Sequence, residues 1–498
     1  MNTFLCLVLS IILAVFLFFK KKYSYWKDRG VKYVEPSFPM GNFPFVRAHF
    51  KDFIANLYKY KENSPLLGAY IVTKPVVIAV SLDFIQKVLV SDFSSFHERG
   101  MYANEADDPL SAHMFSLDGE RWKSIRTKLS PTFTSGKMKH MFPIVVEVAD
   151  RFNDTLASIV KVETQLDMKD LLGRFTTDVI GTCAFGIECN SLENPESMFR
   201  HYGRKVFDDP HLSPFMQMLV IQYPKLGQKL HIKVLSPDVA EFFLDSVGKT
   251  IEYRKKNNVC RNDFMDLLIQ LKNGSDLENE NAKQSEKLSL EEVAAQAFLF
   301  FAAGFETSST TMMYCLYELA LNSDIQERGR QEINEVLLKY NGQLTYEAIK
   351  EMSYVDQIIS EALRKYPPAV FVMRKAVHNY NIPNTKSIIE KGTEIFIPVY
   401  CIHHDPEIYP EPEIFDPERF SPEQVNNRHS MSFLSFGDGP RNCIGLRFGR
   451  MQSRIGLITL LKNYRFTPGP KTMIPIIFDP EKAVLTPQGK MFLQVETI

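Results

Sequence analysis

The hydrophobic pattern begins with a stretch that predicts a membrane anchor. Residues Thr3 to Phe19 (TFLCLVLSIILAVFLFF) carry no charge, and three lysines, 20–22, follow at once. A run of this length is at the short end of what spans a bilayer as a helix. A cleaved signal peptide is the alternative, but in such a peptide charges precede the apolar run and a small-residue cleavage site follows it. We therefore predict an uncleaved anchor over residues 1–22, with the lysines and the rest of the chain in the cytosol.

Beyond the anchor, the pattern predicts a short hinge and one large domain that is mainly α with a smaller β region. Residues 23–45 contain Pro36, Pro39 and Gly41, which favour an extended and stiff connection. Residues 46–498 form the predicted domain. Within it, β-branched residues from Ala69 to Val80 predict a strand pair that is broken around Lys74-Pro75.

The longest helix signal starts at Ser289, which with Glu292 forms a capping box. Apolar positions then continue without proline to about Leu321, which is too long for a peripheral helix and suits a central one. Residues 200–240 are apolar but repeatedly interrupted by proline, which predicts short helices that lid a cavity or touch a membrane surface.

Composition excludes several classes of protein. The chain is 45% hydrophobic and 23% charged, as in a folded globular protein, and its net charge of −1 gives no field that attracts nucleic acid. The seven cysteines are odd in number and widely scattered, so they do not form a disulfide framework and they fit a reducing compartment.

One cysteine lies in a glycine-rich loop, Phe436 to Gly445 (FGDGPRNCIG). No second cysteine is near Cys443, so zinc and iron–sulfur sites are poorly supported. A lone cysteine is most often a small buried hydrophobic residue. The glycines, however, let the backbone approach a flat group, and crowded backbone N–H groups favour the thiolate. A thiolate on such a loop suits the axial ligand of a haem iron.

The predicted central helix contains a second unusual segment, Ala302 to Thr307 (AAGFET). Gly304 inside a helix costs about 1 kcal/mol relative to alanine. A buried Glu306 costs more unless it has a partner or a function. Two interpretations are equally supported: a groove lined by an acid and a hydroxyl that carry protons, or tight packing at Gly304 with Glu306 facing solvent.

Two further pairs of residues have two interpretations each. Trp122 and Arg126 lie four apart on a predicted helix, where they can bind a carboxylate together or form a surface cation–π pair. Glu361 and Arg364 have the spacing of a common surface salt bridge. Arg419, in a proline-rich stretch, could join the second pair as a triad.

Taken together and in this order, these motifs resemble the cytochrome P-450 superfamily of haem-thiolate monooxygenases. The resemblance covers essentially the whole chain and rests on the anchor and hinge and on the following motifs: Trp122-x-x-x-Arg126, Ala303-Gly304-x-Glu306-Thr307, Glu361-x-x-Arg364, Pro417-Glu418-Arg419-Phe420 and Phe436-x-x-Gly439-x-Arg441-x-Cys443-x-Gly445. Residues 107–113 and 130–136 look like the insect microsomal branch that metabolises xenobiotics. Ser435 departs from the proline that many relatives have there, which would make the loop slightly less rigid.

The resemblance implies a fold, a cofactor and a set of roles. The fold would be the P-450 fold, a triangular helical prism in which haem b (iron protoporphyrin IX) lies between the central helix and the cysteine loop. Cys443 would be the axial ligand of the iron, with Thr307 and Glu306 catalytic on the opposite side. The remaining implied positions are the propionate-binding residues Trp122, Arg126, Arg374 and Arg441, with Arg99 less directly; the loop residues Phe436, Gly439 and Gly445; the structural triad Glu361, Arg364 and Arg419; and the substrate residues Phe115, Phe298, Phe301, Ala302, Val370, Phe371 and Leu485.

It also implies partners and a location. Electrons from NADPH would arrive through a separate NADPH–cytochrome P-450 reductase, since the chain has no nucleotide-binding glycine loop of its own. Cytochrome b5, membrane lipid and a small lipophilic substrate (a xenobiotic or a hormone) complete the set, without nucleic acid. The enzyme would lie on the cytosolic face of the endoplasmic reticulum. The basic residues Lys123, Lys128, Lys137 and Lys139 would contact the acidic reductase, or form an ordinary solvated face.

Three alternative functions need separate consideration. A haem-thiolate isomerase or dehydratase needs no reductase and no oxygen activation, and an intact Glu306-Thr307 argues against it. A non-enzymatic, membrane-tethered haem or ligand binder would need the cysteine loop but not that pair. A histidine-ligated haem protein would use His403 or His404, neither of which lies in a glycine frame.

Overall fold

The structure is a computed structural model. It describes residues 2–43, 50–62, 64–261, 263–274, 287–383, 385 and 387–498. The last residues of the predicted hinge and the first of the predicted large domain, 44–49, lie outside the described residues.

The described residues are mainly helical. Their α helices, in chain order, are α1 (Asn2–Tyr23), α2 (Tyr25–Asp28), α3 (Phe50–Tyr58), α4 (Leu82–Gln86), α5 (Gly119–Leu129), α6 (Ser135–Val160), α7 (Met168–Ile180), α8 (Met198–Asp208), α9 (Pro214–Gln222), α10 (Pro224–Lys229), α11 (Pro237–Asn257), α12 (Phe264–Asn273), α13 (Leu290–Leu321), α14 (Ser323–Lys339), α15 (Ala348–Glu351), α16 (Ser353–Lys365), α17 (Val399–His403), α18 (Pro422–Asn426) and α19 (Leu446–Asn463).

Strands and short turns complete the framework. The strands are β1 (Leu66–Ile71), β2 (Lys74–Ala79), β3 (Gln165–Asp167), β4 (Val372–Lys375), β5 (Tyr380–Asn381), β6 (Ile388–Ile389), β7 (Glu394–Ile397), β8 (Tyr464–Thr467) and β9 (Phe492–Thr497). Single turns of 3-10 or π helix are Lys87–Ser91, Phe93–Ser95, Pro109–Ser111, Ser130–Phe133, Gly181–Phe185, Pro417–Phe420 and Ser430–Ser432.

The N-terminal apolar run is a single helix with exposed side chains. Within the described residues, Thr3–Tyr23 is the one helix that is long and apolar enough to cross a membrane. Apart from Phe19, the leucine, isoleucine and phenylalanine side chains along it are more than half exposed, for example Phe4 at 73% and Ile12 at 58%. A soluble surface does not tolerate such a continuous apolar face, so the helix fits a bilayer. Its orientation stays a prediction.

Contacts divide the chain into two compact units. The first comprises Met1–Gly100, Ala369–Pro412 and Arg428–Asn442, and the second comprises Met101–Pro368, Glu413–Asn427 and Cys443–Ile498. The predicted boundaries at residues 22/23 and 45/46, and a single domain over 46–498, stay predictions.

The first unit is built on a four-stranded sheet in the order β1-β2-β7-β4. The strand pair expected between Ala69 and Val80 is present as β1 and β2, which are antiparallel. Its turn lies at Val72 and Thr73, two residues before the expected position, and Lys74-Pro75 begin β2. The turn comes earlier because Val72 takes a left-handed φ of 56°. Pro75 sits at the strand start, where its missing N–H is tolerated.

Part of the segment predicted as a hinge packs on this sheet. Trp26 is fully buried, and its indole Nε1–H donates to the Ala69 carbonyl at 3.0 Å. A side chain on Gly68 would collide with the Trp26 ring, so only glycine allows this contact. Val34 N–H donates to the Gly68 carbonyl at 3.0 Å. These contacts tie the segment that follows the anchor to β1.

The second unit is organised around α13. The expected capping box is present: the Ser289 hydroxyl accepts from Glu292 N–H, and the Glu292 carboxylate accepts from Ser289 N–H. The helix ends at Leu321, and it contacts α7, α11, α12, α16 and α19. Its central position and almost continuous burial match the prediction of a core helix. The short helices expected over 200–240 are α8, α9 and α10.

Candidate functional site

Cys443 differs from most cysteines of the chain in its exposure. Four others are buried, and burial raises the pKa of the Cys183 and Cys401 thiols to about 12. Such thiols are inert. Cys443 is exposed and lies three residues before α19, whose N-terminus carries partial positive charge. That position favours its thiolate form. Cys6, in the predicted anchor, and Cys260 are the other exposed thiols.

The two histidines considered as alternative ligands have other roles. His403 is fully buried, and its Nε2 accepts a hydrogen bond from Leu434 N–H at 2.9 Å. Its ring also stacks on Phe433 at 5.4 Å. The Nδ1 of His404 lies 2.9 Å from the Tyr400 carbonyl within the same helix. A histidine-ligated haem therefore gains no support from the geometry.

The glycines of the cysteine loop are required at two positions. Gly437 and Gly439 have φ of 64° and 73°, which side chains rarely adopt. A Cβ on Gly439 would overlap the Leu89 carbonyl oxygen, so this turn has no room for a methyl group. Gly445 differs, since its φ is −84° and a Cβ there would lie 4.0 Å from the Cys443 sulfur. Any larger residue at 445 would reach towards that sulfur.

The first unit contains a cluster of arginines. One of them, Arg374, has no carboxylate partner within the described residues. Arg374 is fully buried in β4, and its Nη1 donates to the Met373 carbonyl at 2.9 Å. Within the described residues, its Nε and Nη2 have no hydrogen-bond partner and it forms no ion pair. Burial, and then the nearby Arg441 guanidinium, lower the pKa of Arg374 to about 9. A buried unpaired cation costs several kcal/mol, so this position calls for an anion.

Two further arginines belong to the same cluster. Arg441 is 2% exposed and its Nη1 donates to the His97 carbonyl at 2.5 Å. Arg99 Nη2 donates to the Arg441 carbonyl at 3.4 Å. The guanidinium groups of Arg374, Arg441 and Arg99 can bind the two propionate carboxylates of a haem. This cluster therefore fits the cofactor.

In the second unit, α5 carries the other predicted propionate pair. Trp122 is 6% exposed and Arg126 is half-buried, and their spacing of four puts them on one face. The burial of Trp122 disfavours a simple surface pair.

The unusual segment of α13 shows features of both interpretations. A Cβ on Gly304 would collide with Ile180 of α7, so tight packing explains the glycine. Glu306 nevertheless does not face solvent freely: burial raises its pKa, against a smaller opposing effect of Lys169 and Arg200. The Thr307 hydroxyl donates to the Ala303 carbonyl at 2.7 Å. A carboxyl whose pKa is raised can act as a proton donor, and Thr307 follows Glu306 directly in the sequence.

The predicted triad lies entirely in the second unit and is buried. Arg364 Nε and Nη2 donate to the Glu361 carboxylate at 2.7 and 2.8 Å, and both side chains are 0% exposed. Arg419 Nε lies 3.5 Å from the same carboxylate, which also accepts from Asp416 N–H at 3.1 Å. This is a buried structural ion pair and not the surface pair that spacing alone suggests.

The predicted substrate residues fall into separate environments. In the second unit, Phe298 and Phe301 both pack on Phe243, with ring centroids 5.1 and 5.2 Å apart, Ala302 and Leu485 are buried, and Phe115 is 45% exposed. In the first unit, Val370 is buried and Phe371 packs between Phe50 and Phe396 at 4.4 and 5.4 Å. Phe298 and Phe301 thus belong to an aromatic cluster that also serves as core.

Two kinds of contact were not found by sequence reasoning. The backbone carbonyls of Leu89 and His97 shape the glycine turn and hold Arg441, and no sequence motif marks a carbonyl. Among the predicted reductase-docking lysines, Lys139 forms an exposed ion pair with Glu347 at 3.3 Å, which spacing could not show.

Comparisons with known proteins agree with this geometry. A family model described as cytochrome P450 matches residues 33–495. Cytochrome P450 6A1 of Musca domestica is 45% identical over 505 residues, which cover 100% of this chain and 98% of the relative. Cytochrome P450 6a2 of Drosophila melanogaster is 46% identical, with 99% of each chain covered. Probable cytochrome P450 6a14 of the same fly is 46% identical, with 96% of each covered.

Proposed function

Since this chain belongs to the cytochrome P450 family, we propose that it is a membrane-anchored oxygenase that clears lipophilic xenobiotics such as insecticides or plant toxins. The chain is a haem-thiolate monooxygenase and uses haem b. When bound, haem b activates O2 with electrons that come from NADPH, in the general arrangement of the family through a reductase. The observation that carries the proposal is the exposed Cys443 thiol in a glycine frame before a helix N-terminus.

Each site residue has a proposed task. Cys443 ligates the iron as its thiolate. The cationic and indole side chains of Arg374, Arg441, Trp122, Arg126 and Arg99 bind the propionates, and Phe436, Gly439 and Gly445 give the loop its shape. The fully buried Arg374, whose Nε and Nη2 have no hydrogen-bond partner in the described residues, supports this assignment most strongly.

Proton delivery is the proposed task of Glu306 and Thr307. Burial keeps part of the Glu306 carboxyl protonated at higher pH than usual, so it can give up a proton where water is scarce. The Thr307 hydroxyl, which can both accept and donate, passes that proton on. An isomerase would have no need for this pair, and a mere haem binder would not require it either.

The Gly439 turn provides a test of the loop. Gly439→Ala should greatly reduce the haem-to-protein ratio, because a methyl group overlaps the Leu89 carbonyl and displaces the loop. The matched control is Gly342→Ala: Gly342 has a similar φ of 78°, but a Cβ there meets nothing within 4 Å. We expect the control to keep its haem and to lose only about 1–2 kcal/mol from the left-handed backbone. Equal haem loss in both variants would contradict the steric explanation.

The pH dependence of protein stability tests whether the Glu306 carboxyl is buried. In the unfolded chain its carboxyl has its ordinary pKa near 4.5, and in the fold this pKa is raised. Deprotonation therefore favours unfolding as pH rises above about 4.5. Glu306→Gln removes this cost, so the variant should be as stable as wild type at pH 4 and more stable at pH 8, while its turnover falls. Urea unfolding at both pH values measures the difference. A constant difference across this range would rule out the buried carboxyl.

The substrate, the partners and the location belong to the proposal. The aromatic residues Phe298, Phe301 and Phe371 favour lipophilic and partly planar substrates, with xenobiotics preferred over hormones. The anchor helix supports attachment to the endoplasmic reticulum membrane, with the domain on the cytosolic face. NADPH–cytochrome P-450 reductase, and cytochrome b5 as a second donor, would dock on basic residues that include Lys123, Lys128 and Lys137.

Turnover under ¹⁸O2 tests this function. Enzyme, reductase and NADPH are incubated with a panel of lipophilic insecticides and plant compounds. A monooxygenase places one ¹⁸O atom in the product, and product formation stops when either the reductase or NADPH is left out. Product without ¹⁸O, or formed without reductase, would instead identify an isomerase or dehydratase. Binding of the panel without any product would identify a ligand binder.

A further inference from the structure

One face of α13 carries a line of polar and aromatic side chains beyond the proposed proton-delivery pair. Thr307, Thr311, Tyr314 and Glu318 follow at spacings of four, three and four residues, which places them along one side of the helix. The Thr311 hydroxyl donates to the Thr307 carbonyl at 2.8 Å. With a rise of 1.5 Å per residue, Tyr314 lies about 10 Å along the axis from Thr307.

Tyr314 meets a second tyrosine at the end of α16. The rings of Tyr314 and Tyr366 stack with centroids 4.2 Å apart and planes only 10° from parallel. Tyr314 is 0% and Tyr366 7% exposed. The Tyr314 hydroxyl donates to the Leu485 carbonyl at 3.0 Å, which fixes the ring. Two phenols in such close contact share a π-face along which one electron can pass.

The hydroxyl of Tyr366 has a proton acceptor in direct contact. It donates to the Glu318 carboxylate, which also receives Lys365 Nζ at 2.8 Å. Burial, and then the Glu318 carboxylate, raise the pKa of Tyr366, so the phenol stays protonated at neutral pH. A buried phenol that lost an electron alone would leave an isolated positive charge in the core. Transfer of its proton to the bonded carboxylate removes that charge.

We propose that Tyr314 and Tyr366 form a redox relay that returns single electrons to the oxidised cofactor when no substrate is there to consume its oxidising equivalent. Tyr366 loses one electron. This electron passes through Tyr314 to the oxidised haem centre, whose oxidation state falls by one. The O–H bond of Tyr366 breaks, its proton joins the Glu318 carboxylate, and a neutral tyrosyl radical remains. One electron from a soluble thiolate, together with the proton held by Glu318, restores the phenol; two thiyl radicals combine as a disulfide.

The chain contains a matched arrangement that lacks the relay. Tyr58, in the first unit, is also buried, and it donates to the Asp405 carboxylate at 2.8 Å beside Lys61. In the part of the chain that the structure describes, no aromatic ring stacks on Tyr58. Like the Tyr366 site, the Tyr58 site contains a carboxylate and a lysine, but in the described residues it has no stacked tyrosine. It serves as the internal control.

Radical detection tests the relay independently of turnover. Full-length ferric enzyme is mixed with a peracid, frozen within milliseconds and examined by electron paramagnetic resonance. Wild type should show a tyrosyl radical whose spectrum narrows when the protein carries ring-deuterated tyrosine. Tyr366→Phe should lose this signal, and Tyr58→Phe should keep it. The haem of Tyr366→Phe should also bleach several-fold faster during NADPH oxidation without substrate.

A second variant keeps the proposal falsifiable if Tyr366→Phe folds poorly. Glu318→Gln retains the shape of the side chain but not the proton acceptor, and it should give less radical at unchanged haem content. The relay is overturned if Tyr366→Phe keeps the full signal, if Glu318→Gln forms radical as fast as wild type, or if Tyr58→Phe abolishes it. The test requires bound haem but no particular substrate, so it is separate from the xenobiotic assignment.

Discussion

Glu361→Ala is expected to prevent accumulation of folded protein. It leaves Arg364, which is 0% exposed, as a buried charge without its bidentate carboxylate, and it also removes the acceptor of Asp416 N–H. Breaking one partner of a buried pair costs about 3–5 kcal/mol. Since whole domains are stable by only about 5–15 kcal/mol, this is a large share. Urea unfolding and the yield of haem-loaded protein measure the loss.

A surface pair of the same spacing provides the control. Glu347 and Lys350 are also three residues apart, with Nζ 3.0 Å from the carboxylate, but each side chain is 52% exposed. Glu347→Ala should cost no more than about 1 kcal/mol. If the two substitutions destabilise the protein equally, burial does not decide the strength of the Glu361–Arg364 pair and our account of the triad is wrong.

Thr307→Ala is expected to separate NADPH oxidation from product formation. The variant should bind haem and substrate normally, because within the described residues the Thr307 hydroxyl forms its hydrogen bond inside its own helix, to the Ala303 carbonyl. Under the proposed roles of the two residues, loss of that hydroxyl slows delivery of the proton from Glu306, and we expect reduced oxygen to leave as peroxide. A positioned proton donor contributes about 10²–10⁴-fold, so product per NADPH should fall by at least one order of magnitude. NADPH, peroxide and product are counted in parallel.

Two variants distinguish this role from a helix defect. Thr307→Ser restores a hydroxyl and should recover most of the coupling. Thr311→Ala removes a hydroxyl that makes the same type of bond one turn further on, to the Thr307 carbonyl at 2.8 Å, and should leave coupling near wild type. Full coupling in Thr307→Ala would remove Thr307 from the proton-delivery role.

Elements with strong local signals were predictable. The start of α13 follows from Ser289 and Glu292 alone, because a capping box needs only residues within one helical turn. The β1–β2 pair follows from its β-branched residues, although the left-handed Val72 moved the turn away from Lys74-Pro75. No local signal announces a left-handed valine, which is why the position of the turn was wrong.

Burial and long-range contact were not predictable in the same way. Spacing alone favoured a surface pair for Glu361 and Arg364, and only their exposure of 0% shows a buried one. The sequence could not decide between tight packing at Gly304 and a proton path at Glu306. The two residues lie on different faces of the helix, so one can pack tightly while the other stays half-buried. The Tyr314–Tyr366 stack joins residues from two different helical segments that are far apart in the sequence, and no periodicity links them.

The predicted substrate residues also could not be distinguished from core residues by sequence. Phe298 and Phe301 were named by family position, yet both pack in a cluster with Phe243. An aromatic side chain that lines a cavity and one that fills a core have the same sequence pattern. Their assignment as substrate contacts therefore stays a prediction until binding of a lipophilic ligand is measured in variants.

The central claim is that Cys443 supplies the thiolate ligand of the haem iron. It is tested most directly by the difference spectrum of the reduced, carbon-monoxide-bound protein. Wild type should show the strongly red-shifted Soret band of a thiolate ligand, and so should Cys260→Ala, in which an exposed cysteine outside the glycine frame is replaced. Cys443→Ala should lack the band. A red-shifted band that persists in Cys443→Ala, or that disappears in Cys260→Ala, would contradict the account.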